Sequence, residues 1–192
     1  MIEFLQPTAV IDSNAAAVVA LAAEVAGDAA DDEVIARRCF LWVRDNVRHS
    51  SDCEIPTVTC SATEVLEHRV GFCFAKSHLL AALLRARGIP AALCYQRLAL
   101  DEQGGAFCLH GLVAVFLPKH GWYRIDPRGD RAGISTDFCP PTERLAFAPR
   151  LPGEMDIATR FTDAPPSVIA TLRRYRSADE VAANLPDYVP VA

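Results

Sequence analysis

The segment Arg69-Val70-Gly71-Phe72-Cys73 runs directly into a series of helix formers, FAKSHLLAALLRA, so Cys73 stands where a helix begins. A helix N-terminus carries unpaired N–H groups and about half a positive charge, which favour thiolate over thiol, and the thiolate is the nucleophile. The same N–H groups can hold the oxyanion that forms when sulfur attacks a carbonyl. Gly71 reads as a residue that turns tightly and leaves room for a substrate. Such a nucleophile needs a base, and the base needs an orienting group. His110 lies in the apolar run LHGLVAVF, where a buried imidazole must be paired. Asp126 ends GWYRID just before Pro127 and can accept from the imidazole, fix its tautomer and stabilise its charge. Cys73, His110 and Asp126 are thus a candidate nucleophile, base and orienter for acyl chemistry. Taken singly, each has a plainer reading: a buried thiol, a satisfied core histidine and a turn cap.

The elements that must position these residues are legible in the pattern. Residues 13–26 fit a helix with Asp12 or Ser13 as N-cap and Gly27 as its stop. Residues 31–48 fit a second, capped by Asp31 or Asp32, and Ser61-x-x-Glu64 is a capping box for a short helix over 61–68. The nucleophile helix runs from Cys73 to about Arg87, with Gly88 and Pro90 as its stop. The period then changes to that of strands over 91–100, 107–117 and 121–126, with turns at Asp101–Gly105 and Pro118–Gly121. Residues 49–60 and the Pro-rich segment 127–166 read as irregular, and 167–183 as one or two closing helices. Helices first and an antiparallel meander after is an α+β arrangement of one domain over residues 1–192.

Strand register restricts the pair. A two-residue turn at Lys119–His120 puts His110 and Asp126 on opposite faces. A three-residue turn restores the face but is expected to leave them four residues out of register, about 13 Å along the strand. A bulge near the start of the His110 strand is therefore expected.

GFCFAKSHLLAALLRARGIPA resembles the nucleophile helix of the transglutaminase-like superfamily, in which a Cys opens a helix that ends in a Gly-Ile-Pro-Ala turn into the sheet. HGLVAVFLPKHGWYRIDP resembles its second half, a His-initiated strand joined to one reading Gly-Trp and ending in Asp-Pro. FLWVRDNVRHS and ATEVLEHRVG are similar to its preceding helices, so the resemblance covers about residues 30–130. It implies a papain-like core with N-terminal helices packed on an antiparallel sheet, and a triad of Cys73, His110 and Asp126. Two departures bear on substrate contacts. Gly111 and Leu112 follow the histidine where many relatives have Ala and an aromatic, and Arg128 stands where many have Thr. Glu67 lies where papain-like enzymes place a donating Gln, and a carboxylate cannot donate, so no second oxyanion donor is identified.

The totals narrow the classes. The chain has 192 residues, 51% apolar and 22% charged, with a net charge of −5 and no Lys/Arg-rich stripe, which argues against a nucleic-acid partner. The run Ala15–Ala23 is too short to span a bilayer and no Lys or Arg precedes Arg37, so neither a membrane segment nor a signal peptide is expected. Seven cysteines without a C-x-x-C are expected to be reduced thiols in the cytoplasm. Cys39, Cys94 and Cys108 read as core, and His49, Cys53 and Cys60 match no zinc spacing. Gly104-Gly105 is a turn rather than a phosphate loop.

The expected activity is acyl transfer through a thioester on a peptide, protein or small amide, with water or an amine as acceptor. Hydrolysis is favoured, and no cofactor or metal is required. Three alternatives stand beside it. One is an arylamine N-acetyltransferase-like enzyme, since Arg69-Val70-Gly71-Phe72-Cys73 partly resembles the Arg-Gly-Gly-x-Cys motif of that family. The others are a binding module retaining the fold and a metal site around residues 49–60. The oligomeric state is not legible.

Overall fold

A computed structural model describes residues 1–101 and 105–187; Glu102–Gly104, within the expected Asp101–Gly105 turn, lie outside the described residues. Helix α4 (Cys73–Ala86) is the axis of the molecule, with every residue from Cys73 to Arg85 buried. Such a helix has no polar stripe because it has no solvent face. Around it pack α1 (Ala16–Ala26), α2 (Asp32–Asn46) and α3 (Ala62–His68) on one side, and strands β3 (Ala91–Ala99) and β4 (Phe107–Leu117) on the other. Leu79, Leu80, Leu83 and Leu84 are fully buried in this layer, each contributing about 1.5–3 kcal/mol. The buried Arg85 donates to the carbonyls of Gln6, Ala91 and Thr162, tying the start of β3 and two distant segments to the end of α4.

The caps explain the helix boundaries. Asp31 accepts from the N–H groups of Glu33 and Val34, and Ser61 and Glu64 form the expected capping box. The expected cap of α1 is different. Asp12 accepts instead from the Thr63 N–H at 3.2 Å and from the Thr63 hydroxyl, so it ties the N-terminal segment to α3, and α1 begins at Ala16.

The main sheet is antiparallel in the order β5-β4-β3-β8, with β5 at Gly121–Ile125 and β8 at Met155–Phe161. The meander of β3, β4 and β5 is as expected. Strand β8 is not, since it falls in the segment read as irregular. It is an edge strand in which only Ile157 is buried, so it lacks the alternation that marks a half-buried strand. The same segment holds a small hairpin, β6 (Asp137–Cys139) with β7 (Thr142–Arg144). Residues 49–60, also read as loop, contribute to a two-residue parallel pairing of β1 (Arg48–His49) with β2 (Val70–Gly71). Helices α5 (Pro166–Arg174) and α6 (Ala178–Ala182) follow β8. Among the described residues, no helix is long and apolar enough to cross a membrane.

Candidate active site

Three elements converge on Cys73, the first residue of α4. The β1–β2 pairing sets His49 opposite Gly71. A Cβ on Gly71 would stand 3.1 Å from Ala75 Cβ and 3.1 Å from Thr59 Oγ1. Its φ is not in the left-handed region, so close packing, and not the expected tight turn, requires glycine there. From the other side, a Cβ on Gly111 would stand 2.9 Å from Phe74 Cδ1 and 3.2 Å from Phe74 Cα. The bare Gly111 lets β4 press on the first turn of α4, and its N–H donates to Cys73 Sγ at 3.4 Å.

His110 Nε2 lies 2.7 Å from Asp126 Oδ2. That leaves Nδ1 for Cys73, whose sulfur acts on the imidazole electrostatically and lines the same cavity. The other bonds of Asp126 come from the backbone N–H groups of Arg128 and Ala146, each at 3.0 Å. The register explains the contact and corrects the expectation. Leu117 pairs with Gly121 across a three-residue turn, and Val113 with Ile125, so Asp126 follows beside Leu112. It is two residues from His110 on the same face, not four, a diagonal offset of about 7–8 Å that these side chains bridge. No bulge is needed, and the pairing of β4 with β3 runs unbroken from Phe107 to Val115. Phe147 covers the imidazole edge-on at 4.9 Å between ring centres. Gln96, directly across from His110, donates to the Phe147 carbonyl at 3.3 Å and so holds that loop over the pair.

Burial opposes a proton on His110. The Asp126 carboxylate and the Cys73 sulfur outweigh it and raise the imidazole to about 10. Burial likewise pushes Asp126 up, but His110 and the two backbone donors hold it below the usual carboxylate range. The pair is therefore built to carry an imidazolium against a carboxylate. All three side chains are nearly inaccessible, with Cys73 only 7% exposed. Cys73 and His110 together line a cavity of about 700 Å³.

One wall of that cavity is Leu98–Leu100 with Cys108 and Leu109; Cys108, expected in the core, is half-buried and faces the cavity. The opposite wall comes from the segment after Asp126, through Arg128, Arg131, Phe147, Arg150 and Leu151. Leu185 closes one side, held where the Leu109 N–H donates to the Pro186 carbonyl at 2.8 Å and Arg97 pairs with Asp187 at 2.7 Å.

Two further positions, His49 and Arg128, stand at the cavity. His49, weighed from the sequence only as a metal ligand, has its Nε2 3.1 Å from the Cys73 backbone nitrogen. It does not converge with Cys53 and Cys60, and among the described residues no group of three or more metal-ligating side chains comes together. Arg128 is buried and grips Asp52 through both terminal nitrogens, one contact at 2.8 Å. Asp52 lies in the turn that follows His49, so the Arg128–Asp52 pair anchors that turn at the cavity. The departure of Arg128 from Thr was the available signal. His78 is wholly buried, donating from Nδ1 to the Cys60 carbonyl at 2.7 Å, and is structural, while Glu67 is exposed.

Residues 19–127 match the family model of the Transglutaminase-like superfamily. The match spans more than half of the chain, and the chain belongs to that superfamily. Among solved structures, a cysteine protease candidate from Cytophaga hutchinsonii is similar at 24% identity, with a TM-score of 0.54, over 66% of this chain and 41% of that one. The periplasmic domain of TgpA from Pseudomonas aeruginosa is similar at 23% identity, with a TM-score of 0.48, over 65% of this chain and 45% of that one. This chain thus matches less than half the length of either structure. The first likeness supports the fold. No curated protein matches.

Proposed function

We propose that this member of the transglutaminase-like superfamily is a cysteine-dependent acyl-transfer enzyme that hydrolyses an amide or peptide bond through a thioester. The observation that carries the reading is the 2.7 Å contact of His110 Nε2 with Asp126 Oδ2 while the same imidazole meets Cys73 at the floor of an open cavity. The Cys73 thiolate attacks the carbonyl carbon, and the carbonyl electron pair moves to oxygen. His110, as imidazolium, gives its Nδ1 proton to the leaving nitrogen as the C–N bond breaks and the thioester forms. Neutral His110 then takes a proton from water, hydroxide attacks the thioester carbonyl, and as the C–S bond breaks the acid leaves and Cys73 is again a thiolate beside the imidazolium. Asp126 stabilises the imidazolium throughout.

The open cavity and intact hydrogen-bonded set favour this over a binding module that merely retains the fold. Seven free cysteines support a cytoplasmic setting. The substrate class is a peptide, protein or small amide.

Iodoacetamide alkylation of the seven thiols, read by peptide mass spectrometry across pH, tests the reading. Cys73 is expected to react fastest well below pH 8, and His110→Ala is expected to remove that advantage. A Cys73 no faster than Cys108, the other thiol lining the cavity, sinks it.

A further inference from the structure

His49 receives two N–H donors that it cannot both accept. Its Nδ1 faces the Ser51 N–H at 3.2 Å and its Nε2 faces the Cys73 N–H at 3.1 Å. A neutral imidazole has one lone pair and one N–H, and an imidazolium has no lone pair. One contact is therefore a bond and the other sets two N–H groups against each other. The Ser51 contact is local, made by the residue that begins the turn over Ser50–Asp52, and it cannot be relieved without opening that turn. The Cys73 N–H lies at the cavity and can be met by a bound oxygen. The lone pair thus belongs on Nδ1 and the hydrogen on Nε2. Two donors about 3 Å apart then lack an acceptor, beside the sulfur, in a cavity. A single oxygen at about 2.9 Å from each satisfies both.

We propose that His49, through its Nε2–H, is a catalytic residue that shares the oxyanion of the acyl-transfer reaction with the Cys73 backbone N–H. The inference rests on the proposed function. Its setting suits the role. Burial first, and then the nearby Arg128 charge, keep the ring neutral down to about pH 3, so the donor does not titrate in the working range. The β1–β2 pairing, the Arg128–Asp52 anchor and the Phe72 ring, edge-on at 5.8 Å, hold the imidazole in place.

Alkylation by iodoacetamide displaces iodide and makes no oxyanion, whereas acylation by p-nitrophenyl acetate does. Both are measured at Cys73 in the wild type, His49→Leu, His49→Gln and His49→Asn. His49→Leu is expected to lose about 10²–10³-fold in acylation kcat with KM nearly unchanged, while alkylation stays within about twofold. His49→Gln carries an amide N–H to the Nε2 position and is expected to recover most of the loss; the shorter His49→Asn is not. Unchanged acylation in His49→Leu overturns the inference, as does an equal fall in alkylation and acylation, which marks a structural role. Failure of the wild type to form an acetyl thioester overturns the proposed function and this inference with it. It is told apart because the wild type itself is then silent.

Discussion

The Gly111 N–H points at the Cys73 sulfur from 3.4 Å, and a methyl group on Gly111 would stand 2.9 Å from Phe74 Cδ1. Gly111 therefore sets how closely β4 meets the first turn of α4. The ring of Phe74 can turn, but its Cα and N, at 3.2 and 3.3 Å, cannot move without moving α4. Gly111→Ala is expected to cost about 1–3 kcal/mol of stability by overpacking. It is also expected to slow Cys73 alkylation, because the separation of Cys73 from His110 grows. Urea unfolding and the alkylation rate check both, and a variant with native stability and native reactivity refutes the account.

Asp126→Asn isolates the electrostatic share of the pair. The carboxylate is what overcomes burial at His110 and raises it to about 10. An amide removes that charge and turns either a carbonyl or an NH₂ toward Nε2. His110 is expected to titrate several units lower in the variant by NMR, and Cys73 to lose its reactivity advantage at neutral pH. Breaking a buried pair is expected to cost about 3–5 kcal/mol. An unchanged His110 titration argues that the sulfur, not Asp126, holds the proton.

The acid and alkaline limbs of stability are expected to have different owners. His78 is held at about 4 and His49 at about 3, both below the usual value of about 6.5, chiefly by burial. A depressed folded value gives stability that is full above pH 6.5 and is lost as pH falls toward the folded value. Asp126, also depressed, adds a loss below the usual carboxylate range. For His78 the loss amounts to about 3 kcal/mol. His110 is raised, so its contribution is full below pH 6.5 and is lost as pH climbs to about 10. Urea midpoints across pH should therefore fall on both sides. His78→Asn, which keeps a donor for the Cys60 carbonyl, should flatten the acid limb, and His110→Ala the alkaline limb. An acid limb as steep in His78→Asn as in the wild type would exclude His78 as its source.

What was legible in the chain was chemistry carried by local pattern. The helix after Cys73, the capping box of Ser61 with Glu64, and the meander ending at Asp126 each rest on neighbours in sequence. What escaped depended on distant partners. His49 stands 24 residues before Cys73 and meets it only because Arg48–His49 pairs with Val70–Gly71. Strand β8 exists because β3 has a free edge, not because its own residues alternate. The expected bulge is unnecessary because Leu117 pairs with Gly121, which sets Asp126 two residues, not four, from His110. Gly111 and Arg128 were visible as departures from the superfamily pattern, yet their roles needed Phe74 and Asp52 in place.

Arg128 offers the test that joins these distant partners. Its side chain grips Asp52, and this grip first of all holds the Asp52 carboxyl below its usual range. Its backbone N–H separately supports Asp126. Arg128→Ala keeps the backbone bond and releases Asp52 to its weaker contact with Arg131 at 3.4 Å. The turn carrying His49 then loosens while the Cys73–His110–Asp126 set stays in place. Acylation by p-nitrophenyl acetate is expected to fall about tenfold, with alkylation of Cys73 nearly unaffected. Arg128→Lys should restore little, because an ammonium cannot reproduce a two-pronged grip on a carboxylate. If Arg128 acts through His49, the double variant Arg128→Ala/His49→Leu should be no worse in acylation than His49→Leu alone. Losses that simply add would mean that Arg128 acts on the substrate directly.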